Sequence, residues 1–186
     1  PIHFEKNRLA NILANSFAVK NALDLAVKYK AKFLQFSSSV VSGARGSDDQ
    51  LVNEENIGAV DMLSERCSYD EGKRFAESMV KTYKDVYGID AKIVRLFRAY
   101  GPRMALDQGN MLPDFISNAL DNEDLVIYAD KDFSSSFCYV SDCIDAATKI
   151  MNSDVFGPVN IGSDRDVSIT AVAEKIIAIL GSKSKI

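Results

Sequence analysis

The strongest constraint on this chain is an alternation of two hydrophobic periods. Leu9, Ile12, Leu13, Phe17, Leu23, Ala26 and Val27 recur with helical spacing from Leu9 to Tyr29. The stretch "AKFLQFSSS" follows, in which Phe33 to Phe36 is short, apolar and closed by serines, as a buried strand is. A second helical pattern spans Tyr69 to Tyr87, and Gly88 suits its C-terminal cap. A second apolar run, "AKIVRLF", covers Ala91 to Phe97. Helix, strand, loop, helix, strand is the rhythm of a parallel sheet, because parallel neighbours need a long crossover. The intervening loop, rich in Gly, Asp and Asn, runs from Ser42 to about Leu63.

Beyond Phe97 the texture changes. "RAYGPRMALDQGN" is loop-like, and Met111 to Leu120 reads as a short helix. "DLVIYAD" is a strand candidate, while "DFSSSFCYVSD" is polar and irregular. A helix is expected from Asp142 to about Met151, capped by Ser141 or Asp142. "GPVNIGS" reads as a short strand, and Ser168 or Thr170 as the cap of a last helix reaching Leu180. "GSKSKI" reads as a frayed tail. The expected fold is α/β: the second half of a doubly wound parallel sheet over residues 1–97, and a small α/β lobe with returning sheet elements over 98–186. No linker or repeat separates the two.

The 186 residues, 47% hydrophobic and 26% charged, suit a globular protein with a real core. A formal net charge of -4 gives no support to a nucleic-acid binder. No apolar run is long enough to cross a membrane, and no secretory signal pattern is present, so a cytoplasmic protein is expected. Cys67, Cys138 and Cys143 show no paired framework and fit reduced thiols. With one histidine, His3, and no Cys-x-x-Cys, no zinc site is expected.

The chemistry-bearing feature lies in "CSYDEGKRFAESMVKTY". Of seven tyrosines, only Tyr69 has a lysine four residues on, Lys73, which puts both on one helix face. A phenol with a pKa of about 10 is a poor base at neutral pH. A neighbouring ammonium favours phenolate and makes proton transfer feasible. The spacing alone equally suits a solvated polar face.

"SYDEGKRFAE" (68–77), "YGPRM" (100–104), "YVSD" (139–142) and "PVNIG" (158–162) occur in one order through most of the chain. With them the sequence resembles the extended short-chain dehydrogenase/reductase family, in its nucleotide-sugar epimerase, dehydratase and decarboxylase branch. The likeness is nearest to UDP-glucuronate decarboxylases. The resemblance implies a Rossmann-like fold and NAD as cofactor. It implies a nucleotide-sugar substrate passing through a transient keto-sugar, and a homodimer formed through helices 9–29 and 69–87. Those helices carry apolar residues beyond one narrow stripe, such as Val19, Phe75, Met79 and Val80. It further implies that Tyr69 is the acid/base and that Lys73 holds the nicotinamide ribose. Ser38 would hydrogen-bond the reacting sugar oxygen or the tyrosine, with Ser37 and Ser39 left as polar loop residues. Arg98, Arg103, Asn110 and Tyr128 fall where relatives meet substrate, although a surface charge at a strand end, a loop ion pair, a turn asparagine and a core tyrosine account for them in turn as well. Asn160 is expected to bond backbone.

The chain also departs from the family. No Gly-rich turn for a dinucleotide pyrophosphate occurs, and "SGARGS" follows the wrong strand for one. The expectation is therefore a C-terminal portion of an enzyme, which by itself binds NAD weakly. Val40 stands where decarboxylases and dehydratases keep Glu, Arg98 where Asn is usual, and Ser135 where Arg clamps a diphosphate. The exchange at 98 and 135 reads as a relocated phosphate clamp, a different substrate or a decayed site. Val40 favours epimerase-type or simple redox chemistry, whereas the whole-chain likeness favours decarboxylation. The alternative is a non-catalytic relative that binds a nucleotide or a protein partner.

Overall fold

The computed structural model describes residues 7–43, 51–106, 108–128 and 133–186. His3, Gly46 and the last two residues of "DLVIYAD" lie outside them. The first helical pattern is one rod in three parts: α1 (Arg8–Leu13), a π-helical turn (Ala14–Ala18) and α2 (Val19–Tyr29). Strand β1 (Phe33–Ser38) follows and passes into a 3₁₀ turn (Ser39–Ser42). The long helix α3 (Cys67–Tyr87) ends where Gly88 takes up φ 66°, a left-handed conformation that costs glycine little. Strand β2 (Ala91–Leu96) completes the expected rhythm.

Beyond it come β3 (Ala99–Tyr100), α4 (Met111–Asp121), β4 (Ser134–Ser136) and β5 (Cys138–Tyr139). The chain closes with α5 (Val140–Met151), β6 (Val159–Ile161), β7 (Asp166–Ser168) and α6 (Ile169–Leu180). The main sheet is parallel, in the order β1-β2-β6, with Phe36 beside Val94 and Val94 beside Val159. A strand from the far end of the sequence thus returns to the sheet. β3 pairs with β5 in parallel and β4 with β7 antiparallel.

β2 is the hinge of the packing because it is buried on both faces. Ala91 and Ile93 join Leu23, Ala76 and Val80 under α2 and α3. Val94 faces the other way, against Cys143, Ala147 and Ile161 beneath α5. Full burial of a side chain such as Leu23 or Val80 contributes about 1.5–3 kcal/mol. A third cluster, Phe115, Ala119, Leu125, Ile169 and Ala173, holds α4 against α6.

Several expectations need correction. Residues 124–128 form no strand: the Leu125 amide bonds to the Lys185 carbonyl at 2.8 Å, and the Leu125 side chain fills the third core instead. The "GSKSKI" tail is correspondingly anchored, with Ser184 buried and the Lys183 amide donating to Asn122 Oδ1 at 2.9 Å. α5 begins at Val140, after an extended Tyr139, so Ser141 and Asp142 lie in its first turn rather than capping it. There Asp142 complements the helix dipole. Ser168 does cap α6, accepting from the Ala171 amide at 3.0 Å. Val19 and Val80 belong to the core, and Met79 packs against it, so of the four apolar residues offered for a second subunit only Phe75 is exposed. Ser37 is a buried strand residue, not part of a polar loop.

Candidate functional site

Helix α3 and the carboxyl end of β1 build the first part of the site. The helical rise puts Tyr69 and Lys73 one turn apart, and Lys73 Nζ lies 5.7 Å from the centre of the Tyr69 ring. The same ammonium donates to the Phe36 carbonyl at 3.0 Å. Burial pushes the Lys73 pKa below its ordinary value. Ser38, two residues beyond Phe36, ends the strand and caps the 3₁₀ turn, its Oγ accepting from the Val40 amide at 3.5 Å. Tyr69, Lys73 and the serine end of β1 therefore share one edge of the sheet, the carboxyl edge where ligands of parallel sheets bind.

The frame around these residues was not legible beforehand. Gly72, between Tyr69 and Lys73, faces the buried Asn15 of the π-turn, and a Cβ there would come within 3.0 Å of Asn15 Cβ. Arg74 donates to the carbonyls of Val41 (3.0 Å) and Gly58 (2.6 Å), fixing the segment after β1. Arg95 makes a two-pronged bond to Glu77, at 2.9 and 2.8 Å, and a third to the Glu54 carbonyl at 2.8 Å. The Glu54 carboxylate accepts from the Asn160 amide, and Asn160 Nδ2 donates to the Val52 carbonyl, which gives Asn160 the backbone-bonding role expected of it. The available sequence signal was a charge in an otherwise apolar strand: Arg95 within "AKIVRLF" could not stay there unpaired.

Of the remaining candidates, Arg98, Tyr128 and Arg103 line three different cavities, and Asn110 lines none of these. Arg98, Ser39, Ser135 and Ser136 line a small pocket of about 160 Å³ with Phe97 and Phe133. Arg98 has a positive φ of 32°, and its guanidinium lies 5.6 Å from the centre of the Phe133 ring. Phe133 also lines a second cavity of about 620 Å³, together with Tyr128, Met111 and Val126. Asn110 precedes α4 and makes no side-chain cap bond; its carbonyl accepts from the Asp114 amide at 3.0 Å. Arg103 sits elsewhere, on a cleft of about 970 Å³ lined by Tyr100, Tyr139, Arg165 and Lys175. The structure thus brings Arg98 together with Ser135 and separates both from Arg103.

A nicotinamide dinucleotide fits part of this arrangement. An ammonium carries three donors, and Lys73 has one of them on Phe36, so acceptors of a ribose diol beside Tyr69 suit the others. The 186 residues contain no Gly-rich turn that would cradle the pyrophosphate.

The profile of the NAD dependent epimerase/dehydratase family matches residues 5–162. Among curated proteins, UDP-glucuronic acid decarboxylase 5 of Arabidopsis thaliana is 36% identical over 179 residues, 95% of this chain and 51% of the relative. Among solved structures, UDP-N-acetylglucosamine 4-epimerase from Methanobrevibacter ruminantium M1, in complex with UDP-N-acetylmuramic acid, superposes with a TM-score of 0.86 at 26% identity. That match covers 98% of this chain and 58% of the other. The dTDP-glucose 4,6-dehydratase of Bacillus anthracis, in complex with NAD, gives a TM-score of 0.78 at 26% identity, over 90% and 52%. The chain spans about half the length of the curated relatives it matches.

Proposed function

Because the chain belongs to the NAD dependent epimerase/dehydratase family, we propose that it carries the proton-transfer and substrate-holding residues of an enzyme that modifies a nucleotide-linked sugar. The observation that carries this reading is the Tyr69–Lys73 pair, fixed on the Phe36 carbonyl beside the strand end that holds Ser38. Tyr69 takes the proton of a ring hydroxyl and later returns it. Lys73 holds a positive charge beside the phenol, favouring phenolate, and offers its other donors to a ribose. Ser38 presents its hydroxyl to the reacting oxygen. Bound NAD supplies hydride acceptance and return at the ring carbon. Val40 can neither donate nor accept a proton, so these residues suit redox at one ring carbon, which needs a single acid/base. Arg98 and Tyr128, along the two cavities that share Phe133, hold the nucleotide end, with Asn110 between Gly109 and Met111 of the second cavity's wall. Arg103 reaches the substrate from the neighbouring cleft, which meets the second cavity at Leu106.

A homodimer belongs to the same reading. Leu9, Ile12, Leu13 and Phe17 on the first rod and Phe75 on α3 are exposed, and a second copy would cover them. Among the described residues no helix is long and apolar enough to cross a membrane. We infer a cytoplasmic enzyme from its three free thiols, which suit a reducing compartment.

The test is turnover of UDP-linked sugars by the full-length protein with NAD, with products read by NMR. Tyr69→Phe should lower kcat by roughly 10²–10⁴-fold while the fold and NAD binding persist. Near-normal turnover by that variant sinks the catalytic assignment. Sedimentation of a strict monomer at high concentration sinks the dimer.

A further inference from the structure

We propose that Arg74 is a positioning residue for the reaction: it sets the Ser38 hydroxyl relative to Tyr69 by latching the turn after β1 to helix α3. The inference rests on the nucleotide-sugar reading for the task of Ser38, but not for the latch. Ser38 ends β1, and its Oγ accepts from the Val40 amide at 3.5 Å, so the hydroxyl stands where the 3₁₀ turn that it caps puts it. Consecutive cations of α3 hold the chain on both sides of it. Lys73 donates to the carbonyl of Phe36, before Ser38, at 3.0 Å. Arg74 donates through Nε to the carbonyl of Val41, after Ser38, at 3.0 Å. Tyr69 stands on the same helix, so both latches refer Ser38 to the element that carries the phenol.

A guanidinium suits this task in a way that an ammonium does not. Nη2 of Arg74 donates to the Gly58 carbonyl at 2.6 Å, while the Gly58 amide donates to the Ser42 carbonyl at 2.8 Å. Arg74, the turn and Gly58 thus close a ring of hydrogen bonds in which each member fixes the next. One planar fork spans carbonyls from two separate segments, whereas an ammonium is a single point of attachment. The turn has no slack on its far side. Gly43, at φ 71°, lies so close to the later segment that a Cβ on it would come within 2.6 Å of the Ala59 carbonyl oxygen. Val41 and Ser42 are buried between the helix and that segment. Releasing Arg74 therefore frees the one side of the turn that can move, and Ser38 moves with it. A reacting group displaced by about 1 Å loses up to roughly 10²-fold in rate.

The experiment is a double-mutant cycle on the full-length protein with NAD, read by turnover of UDP-linked sugars and by amide hydrogen exchange. Arg74→Met keeps an unbranched stem and removes both donors. It should lower kcat by about tenfold to a hundredfold and change KM by less than about threefold, because Ser38 meets the reacting oxygen and not the nucleotide. In a Ser38→Ala background the same change should cost less than about threefold, since the group that it positions is gone. A residue that merely stabilised the fold would lower kcat equally in both backgrounds. Arg74→Lys, which can hold one carbonyl, should recover only part of the rate. The Val40 and Gly58 amides should exchange faster in Arg74→Met by on the order of tenfold, while Ile93 and Val94 in β2 exchange as in wild type. Equal losses of kcat in the two backgrounds, or unchanged exchange at Gly58, overturn the proposal. Turnover lost in Tyr69→Phe together with equal losses in the cycle would leave the nucleotide-sugar reading standing without this role for Arg74. A wild type that turns over no UDP-linked sugar sinks that reading instead, and the latch then stands or falls on the exchange at Gly58.

Discussion

Lys73 Nζ lies 3.0 Å from the carbonyl oxygen of Phe36, and that bond ties the helix of Tyr69 to the strand of Ser38. The two segments are 37 residues apart in sequence and meet only through tertiary structure. The ammonium is half-buried and faces a carbonyl rather than a carboxylate, so it loses hydration without gaining a counter-charge from any described residue. Its pKa falls for that reason.

The lysines should consequently titrate in a defined order. Lys20 and Lys149 are raised above the ordinary lysine value by Asp24 and Asp145, whereas Lys73 is lowered by burial. In an NMR titration of the ¹³Cε resonances, Lys73 should lose its proton first. The unfolded chain binds more protons than the folded one between the lowered folded value and 10.5, so Lys73's contribution to stability rises with pH through that window. Lys73→Met should flatten this rise. A Lys73 resonance that moves with or after Lys20 refutes the account.

Breaking the Arg95–Glu77 pair should be expensive. Both side chains are nearly buried, 10% and 13% exposed, and removing one leaves the other charge uncompensated. Glu77→Ala should cost about 3–5 kcal/mol in urea unfolding, whereas Arg95→Met with Glu77→Leu should cost less than the sum of the single losses. Additive losses would show that the two residues act independently. The Arg95→Met variant should also free residues 52–54, because Arg95 holds the Glu54 carbonyl; faster proteolysis there is the readout.

How much of this was written in the sequence depends on the length of the element concerned. β1, β2 and their helices were legible because apolar periodicity needs several residues to declare itself, and these elements supply them. β3, β5, β4 and β7 are two or three residues long, and nothing in two residues separates a strand from a loop. "DLVIYAD" misled in the opposite direction, because its apolar run serves a core and a tail contact rather than a ladder. Tyr69 and Lys73 could be placed together from helical spacing alone. Arg98 and Ser135 were linked only through the family resemblance, and Gly72 with Asn15 not at all, since each pair is joined by the packing of elements distant in sequence.

The thiols should react in an order set by burial. Burial, with the adjacent Cys138, pushes the Cys143 thiol up to about 12, and thiolate is the reactive form. Cys138 is buried beside it, while Cys67 at the start of α3 is partly exposed. Iodoacetamide on the native protein should therefore label Cys67 alone, with Cys138 and Cys143 reacting only on unfolding. Mass spectrometry showing early modification of Cys143 would contradict the packing under α5.

The closest test of the site's frame is Gly72→Ala. In an isolated helix the change is favourable by roughly 0.5–1 kcal/mol, because alanine orders more cheaply than glycine. Here the new Cβ would meet Asn15 Cβ at 3.0 Å, with Asn15 Cγ and Nδ2 next at 3.5 Å. Asn15 is buried in the π-turn and its Nδ2 is bonded to the Asn11 carbonyl at 2.9 Å, so it can retreat only by giving up that bond or moving the rod. Overpacking of this kind costs about 1–3 kcal/mol, which outweighs the helix gain. Gly72→Ala should accordingly lower Tm, whereas the same change at an uncrowded helix position would raise it. Asn15→Gly removes the opposing Cβ, so the double variant should be more stable than the two single effects predict when added. Because Gly72 lies between Tyr69 and Lys73, the displaced helix should also shift the Lys73 titration towards that of a solvated lysine. A raised Tm in Gly72→Ala, or strict additivity in the cycle, would show that the two helices have room to spare and that Gly72 does not set their approach.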